Sequence, residues 1–175
     1  MVKKSATPSR VPNPKIRPQT LMLARDTLSF QRDGSPCLAF RIADTRKSHI
    51  IDAKVRALLI KKWSSSEGEK LPFYQQELPL TADGCDGRLM FIWPTLIVHK
   101  IDEKSPLHGL SNADKDFEVV VMIEGAVEST GLATQAKSSY LPSEILWNHR
   151  FESMMSQSSV SGRIKVRKYF KLMEN

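Results

Sequence analysis

Apolar residues in this chain come in short runs, and turn dipeptides cut most of them off before helical length. The runs are "TLMLARDTLSF", "CLAFRIA", "HIIDAKVRALLI", "RLMFIWPTLIVHKI" and "FEVVVMIEGAVES", with "QRDGSP" and further Asp-Gly and Glu-Gly pairs as punctuation. That spacing predicts an all-β sandwich of antiparallel strands. The run holding Ile51, Val55, Leu58 and Leu59 also fits a helical stripe, but its length and branching favour a strand. On that strand Ile51, Ala53, Val55, Ala57 and Leu59 share one face, and Asp52, Lys54 and Arg56 the other. One short helix is expected after Ser111, where "SNADKDF" supplies a cap and early acids, and a second fits "PSEILW", with Pro142 in a first turn. The segment "GRIKVRKYFKL" reads as a closing basic strand, apolar at Ile164 and Val166.

A chain of 175 residues, 41% hydrophobic and 26% charged, fits one domain with a tail. Its longest nearly unbroken apolar run, Leu89 to Val98, carries a proline and is far shorter than the roughly 20 residues of a membrane helix. No apolar segment of signal-peptide type follows the positive start, so a cytosolic setting is expected. Cys37 and Cys85 lack metal-ligand spacing and read as reduced structural thiols. Of the formal charge of +7, five units come from Lys3, Lys4, Arg10, Lys15 and Arg17. Residues 1–19 also hold four of the ten prolines, which predicts an extended arm ahead of a domain at 20–175. Such an arm meets nucleic acid, an anionic membrane surface, or only water.

Enzyme chemistry finds little support. His99, Asp102 and Ser105 sit close together in "VHKIDEKS", but there is no GxSxG-like elbow, and strand-end polar residues are the simpler reading. Single scattered glycines make no phosphate loop. Aromatics are only 7% of the chain and none lies in the basic arm, so no nucleic-acid partner is expected. Two features remain. The cationic clusters "NPKIRP" and "TRKSH" suit an anionic lipid surface, which attracts about 1 kcal/mol per nearby Lys or Arg. The segment "EGAVES" sets Glu124 and Glu128 around Gly125 at the end of the strongest strand; in one copy, isolated acids there are simply solvated.

The blocks "PKIRPQT", "DTRKSHIIDAKVRALL", "SEGEKLP", "VHKIDEKSPL" and "VVVMIEGAVESTGLATQAKSSYLPSEILWNHRF" resemble, in order, the cytoplasmic C-terminal domain of inward-rectifier potassium channels. The resemblance runs from about Arg10 to Phe170. It implies an immunoglobulin-like β-sandwich that assembles as a homo- or hetero-tetramer with other inward-rectifier subunits, at the cytoplasmic face of a membrane. It assigns Arg10, Lys15, Arg17, Arg46 and Lys47 to phosphatidylinositol bisphosphate. Asn13 and Ile16, where many members have lysine, imply weaker or altered lipid preference. Asp52, Glu124 and Glu128 match pore-side acids, Glu128 lying beside the gate loop and equally suited to a structural hydrogen bond; fourfold symmetry turns Asp52 and Glu124 into rings that concentrate permeant potassium and attract blocking magnesium or polyamines. Residues 125–134, with Gly125, Ala126, Gly131 and Leu132, match the cytoplasmic gate loop, and Ala126 in place of a common methionine implies a wider constriction. Asp44 matches a position used for sodium activation in some members. The family's pore helices and filter have no counterpart here, so this polypeptide is expected not to conduct by itself and to be soluble alone.

A rival reading from the residues is a stand-alone immunoglobulin-like module whose basic arm binds an acidic partner.

Overall fold

The computed structural model describes residues 21–44, 49–82, 89, 91, 93–110, 114, 116–153, 155–157, 164–166 and 172–174, with 21–22 and the last three segments by backbone alone. Strands dominate, as the alternation implied. They are β1 (Leu21–Leu23), β2 (Thr27–Arg32), β3 (Ser35–Asp44), β4 (Ile50–Ser64), β5 (Lys70–Leu78), β6 (Thr81–Ala82) and β7 (Thr95–Lys100). There follow β8 (Phe117–Val127), β9 (Ala133–Tyr140), β10 (Ile145–Trp147), β11 (His149–Phe151), β12 (Met155–Gln157), β13 (Ile164–Val166) and β14 (Leu172–Glu174).

Two sheets make the sandwich. One runs β10-β2-β3-β7-β6 with β1 on β3, the other β5-β4-β8-β9. Between them lies a core of Phe40 and Ile42 from β3, Leu59 from β4, and Val119, Val121 and Ile123 from β8. Each fully buried side chain of this size contributes about 1.5–3 kcal/mol relative to exposure. Tyr140 crosses the core, with its ring 5.6 Å from that of Phe40 and its hydroxyl donating to Ala24 O at 2.9 Å. Burial pushes this phenol up to about 12.

The structure departs from the sequence expectations at three places. Asp114 and Asp116 are not helical, and Phe117 is already buried as the first residue of β8; the rest of "SNAD" and Lys115 lie outside the described residues. At "PSEILW" the expected helix is one 3-10 turn, Pro142–Glu144, because buried Ile145 continues into β10 and pairs parallel with β2. That parallel pair is an exception to the antiparallel expectation. Finally, strict alternation fails at the start of β4: Ile50 is buried while Ile51 is half-buried, for a reason that defines the site below.

Cys37 is a buried free thiol, pushed up in pKa chiefly by burial; Cys85 lies outside the described residues. His99 and Ser105 do touch, with Nε2 and Oγ 2.7 Å apart, but both are buried. The Pro79 carbonyl, 2.8 Å from Nδ1, can only accept, so Nδ1 carries the proton and Nε2 accepts from the Ser105 hydroxyl. Ser105 Oγ in turn accepts Leu107 N–H at 3.1 Å. These groups fasten the loop after β7 and leave no approach for a substrate.

Candidate functional site

The candidate site lies where the start of β4 meets the end of β8. Ile51 stands opposite Ala126, yet Lys54 stands opposite Glu124, so β4 fits one extra residue into the pairing. This bulge puts Asp52 at φ +52°, a left-handed conformation that aspartate tolerates better than most residues. The bulge also turns Ile50 into the core and brings Ala53 against Leu89 through paired backbone hydrogen bonds.

Gly125 sits opposite the bulge, and its identity follows from space. A Cβ there would stand 2.5 Å from Ile50 Cγ2, 3.1 Å from Ile51 O and 3.2 Å from Ala53 Cα. None of these neighbours is a flexible tip, so only glycine fits.

Around the bulge, Asp52 and Glu124 are both exposed, one from each strand. Glu124 Oε1 accepts from Gln135 Nε2 on β9 at 2.7 Å, and Lys54 is its direct cross-strand partner on β4. Farther along the same face, Arg56 Nε donates to Glu77 Oε1 on β5 at 2.9 Å. The Arg56 guanidinium is held above its usual pKa by that hydrogen bond, then by the Glu77 charge, with Glu124 adding to the effect. Glu77 is held below the usual carboxylate range by the same bond. The outer face of the four-stranded sheet therefore carries a polar ladder from β9 to β5. Sequence reading placed Lys54 and Arg56 beside the acid but missed Gln135 and Glu77. Gln135 was recoverable, because a hairpin centred on the turn after Val127 pairs it with Glu124.

Glu128 has a different position. It follows β8, its backbone N–H donates to His49 O at 2.9 Å, and its Oε2 accepts from His49 N at 3.4 Å. It ties the residue preceding β4 to the turn. The loop expected over 125–134 contracts, since Gly125, Ala126 and Val127 belong to β8 and Ala133 and Thr134 to β9. What remains is a turn in which Gly131 N donates to Val127 O at 2.7 Å and Gly131 adopts φ +65°, a conformation suited to glycine. Leu132 is 59% exposed at this turn, an apolar side chain without cover.

Asp44 ends β3 in the other sheet, whereas Asp52 and Glu124 stand on strands of the four-stranded sheet. Arg10, Lys15, Arg17, Arg46 and Lys47 lie outside the described residues. Among the described residues no three His, Cys, Asp or Glu side chains converge as metal ligands, and no helix is long and apolar enough to cross a membrane.

With this geometry in place, the comparisons with known proteins decide the family. Residues 21–174 match the family model of the inward rectifier potassium channel C-terminal domain. The chain belongs to that family. Among curated proteins, inward rectifier potassium channel 4 of Rattus norvegicus is 43% identical over 169 residues, covering 95% of this chain and 38% of the relative. ATP-sensitive inward rectifier potassium channel 12 of Mus musculus is 42% identical over 95% of this chain and 40% of its own length. Inward rectifier potassium channel 18 of Homo sapiens is 42% identical, again over 95% of this chain, and 39% of that protein is covered. The chain thus spans about two-fifths of the length of these relatives. These relatives are potassium channels and not enzymes.

Proposed function

We propose that this inward-rectifier domain forms, with three further subunits of its kind or of related subunits, the cytoplasmic part of a potassium channel's ion path. The observation that carries the reading is that exposed Asp52 stands in the bulge of β4 while exposed Glu124 precedes Gly125 on the paired strand β8. Fourfold repetition makes each a ring of carboxylates. Such rings raise the local potassium concentration and bind magnesium or polyamines driven in by outward voltage, which yields rectification without any chemical step. Lys54 and Arg56 beside Glu124 moderate the ring's charge and tune the affinity for blockers. Glu128, engaged with His49, acts chiefly as a fastener of the gate, made by Gly125 and Ala126 at the end of β8 and Gly131 and Leu132 in the turn that follows.

In the same reading Arg10, Lys15, Arg17, Arg46 and Lys47 hold phosphatidylinositol bisphosphate at the cytoplasmic face of the membrane. The segment bearing Arg46 and Lys47 leads directly into His49, whose backbone is bonded to Glu128, so lipid docking biases the gate turn through one short connection. Asp44 is a candidate sodium-sensing residue.

The test is a full channel carrying this domain, recorded in excised patches. Asp52→Asn with Glu124→Gln is expected to weaken block by cytoplasmic spermine by about tenfold or more, given the loss of two charge rings. Arg46→Gln with Lys47→Gln is expected to lower current at a fixed phosphoinositide level. Unchanged block would remove the acids from the ion path, and unchanged lipid dependence would remove the cations from the lipid site.

A further inference from the structure

The hairpin joining β4 to β5 ends in a turn over residues 65–69, preceded by Ser64 and containing Ser65 and Ser66. Ser65 N donates to Glu69 O at 2.9 Å and Gly68 N to Ser65 O at 3.0 Å, which closes the turn. The three serines have unlike settings. Ser64 ends β4 in register with Lys70. Ser65 is half-buried, and its Oγ accepts the backbone N–H groups of Glu67 and Glu69, each at 3.2 Å. Ser66 is exposed at the tip, and its hydroxyl donates to Glu67 Oε1 at 2.7 Å. The Glu67 carboxyl is held below its usual pKa by that bond first and by Ser65 second, so it stays anionic under any physiological condition. Glu69, three residues after Ser66, is also exposed.

We propose that Ser66 is a phosphoacceptor for a protein serine kinase that reads carboxylates C-terminal to its target, with Glu67 and Glu69 as the recognition charges. In the transfer, a bond forms between Ser66 Oγ and the γ-phosphorus of magnesium-bound ATP. The bond from that phosphorus to the bridging oxygen of the β-phosphate breaks, ADP leaves, and the hydroxyl proton passes to the kinase's catalytic carboxylate. Lysines 61 and 62 would suit a kinase that reads basic residues before Ser64 or Ser65. Ser64, however, is held in a paired strand, and the hydroxyl of Ser65 closes the turn. A hairpin tip with exposed hydrogen bonds opens locally at small cost, which gives a kinase the extended backbone it needs.

The consequence is electrostatic. From Lys61 to Lys70 three lysines stand against two glutamates, and a phosphate of charge about −1.5 to −2 inverts the sign of the tip. The inversion falls beside the exposed Phe73 and the stacked rings of Trp63 and Tyr74, whose centroids are 5.2 Å apart. A partner attracted to a cationic, aromatic hairpin end would be released.

The purified chain is incubated with a casein-kinase-type, acid-directed serine kinase and magnesium ATP, and its peptides are mapped by mass spectrometry. The expected result is one phosphate on Ser66, lost in Ser66→Ala and kept in Ser65→Ala. Glu69→Gln should lower kcat/KM about tenfold, the loss of one charge-assisted contact. No incorporation into the unmodified chain, phosphate on Ser64 or Ser65 instead, or an unaltered rate with Glu69→Gln would each overturn the proposal.

Discussion

The two sheets of the sandwich treat their outer faces differently. The outer face of the six-stranded sheet is covered: Leu28, Phe30, Cys37, Ala39 and Val98 form a second small core, with Leu146 and Phe151 packed over it. Two arginine–aromatic contacts clasp the cover, Arg41 over Phe151 at 4.3 Å and Arg150 over Phe30 at 5.4 Å, and Arg150 Nη2 donates to Gln31 O. Burial holds the Arg41 guanidinium down at about 10, opposed by the nearby charge of Glu152. The outer face of the four-stranded sheet instead shows the ladder of Gln135, Glu124, Arg56 and Glu77. One sheet uses both faces for stability, which leaves the other free to present charge.

That contrast is open to direct perturbation. The largest effect is expected on the covered face, where Phe30→Ala should cost about 3 kcal/mol in urea unfolding; a cost near zero would mean the second core is ornamental. Gly125→Ala should follow at about 2 kcal/mol, because the new methyl meets Ile50 and the bulge backbone. Tolerance of alanine there would show that the bulge relaxes easily. A smaller effect is expected from His99, whose pKa burial holds below its ordinary value. The unfolded chain then binds a proton more readily than the folded one, so stability is full above about pH 6.5 and declines as pH falls from there toward the folded-state pKa. His99→Gln should flatten that decline in denaturation curves measured from pH 7.5 to 5. The smallest effect is expected on the open face: Arg56→Ala should leave the unfolding midpoint nearly unmoved, as exposed ion pairs contribute little.

Much of the four-stranded sheet was legible in the sequence. In "FEVVVMIEGAV" the alternating Val119, Val121 and Ile123 do face the core, and the acids at its end lie exposed near Asp52. What escaped was set by distant contacts. The bulge at Asp52 answers to the notch at Gly125, more than seventy residues away, and nothing local to "HIIDAK" signals it. Ile145 follows a Pro-Ser-Glu turn that looks helical, and only its docking against β2 makes it a strand. The role of Arg41 depends on Phe151, which arrives from the far end of the domain. His99 and Ser105 were visible as neighbours, but their burial, which decides between chemistry and fastening, was not.

The central claim is that the four-stranded sheet, and not its covered counterpart, turns its charged end toward a shared ion path. The most direct measurement places single cysteines at Glu124 or at Gln31 in a full channel carrying this domain and applies a positively charged methanethiosulfonate reagent from the cytoplasmic side. With Glu124→Cys the reagent should suppress outward current and further weaken spermine block, while Gln31→Cys should respond like the unsubstituted channel. Equal responses at the two positions, or a response at Gln31→Cys alone, would contradict the claim.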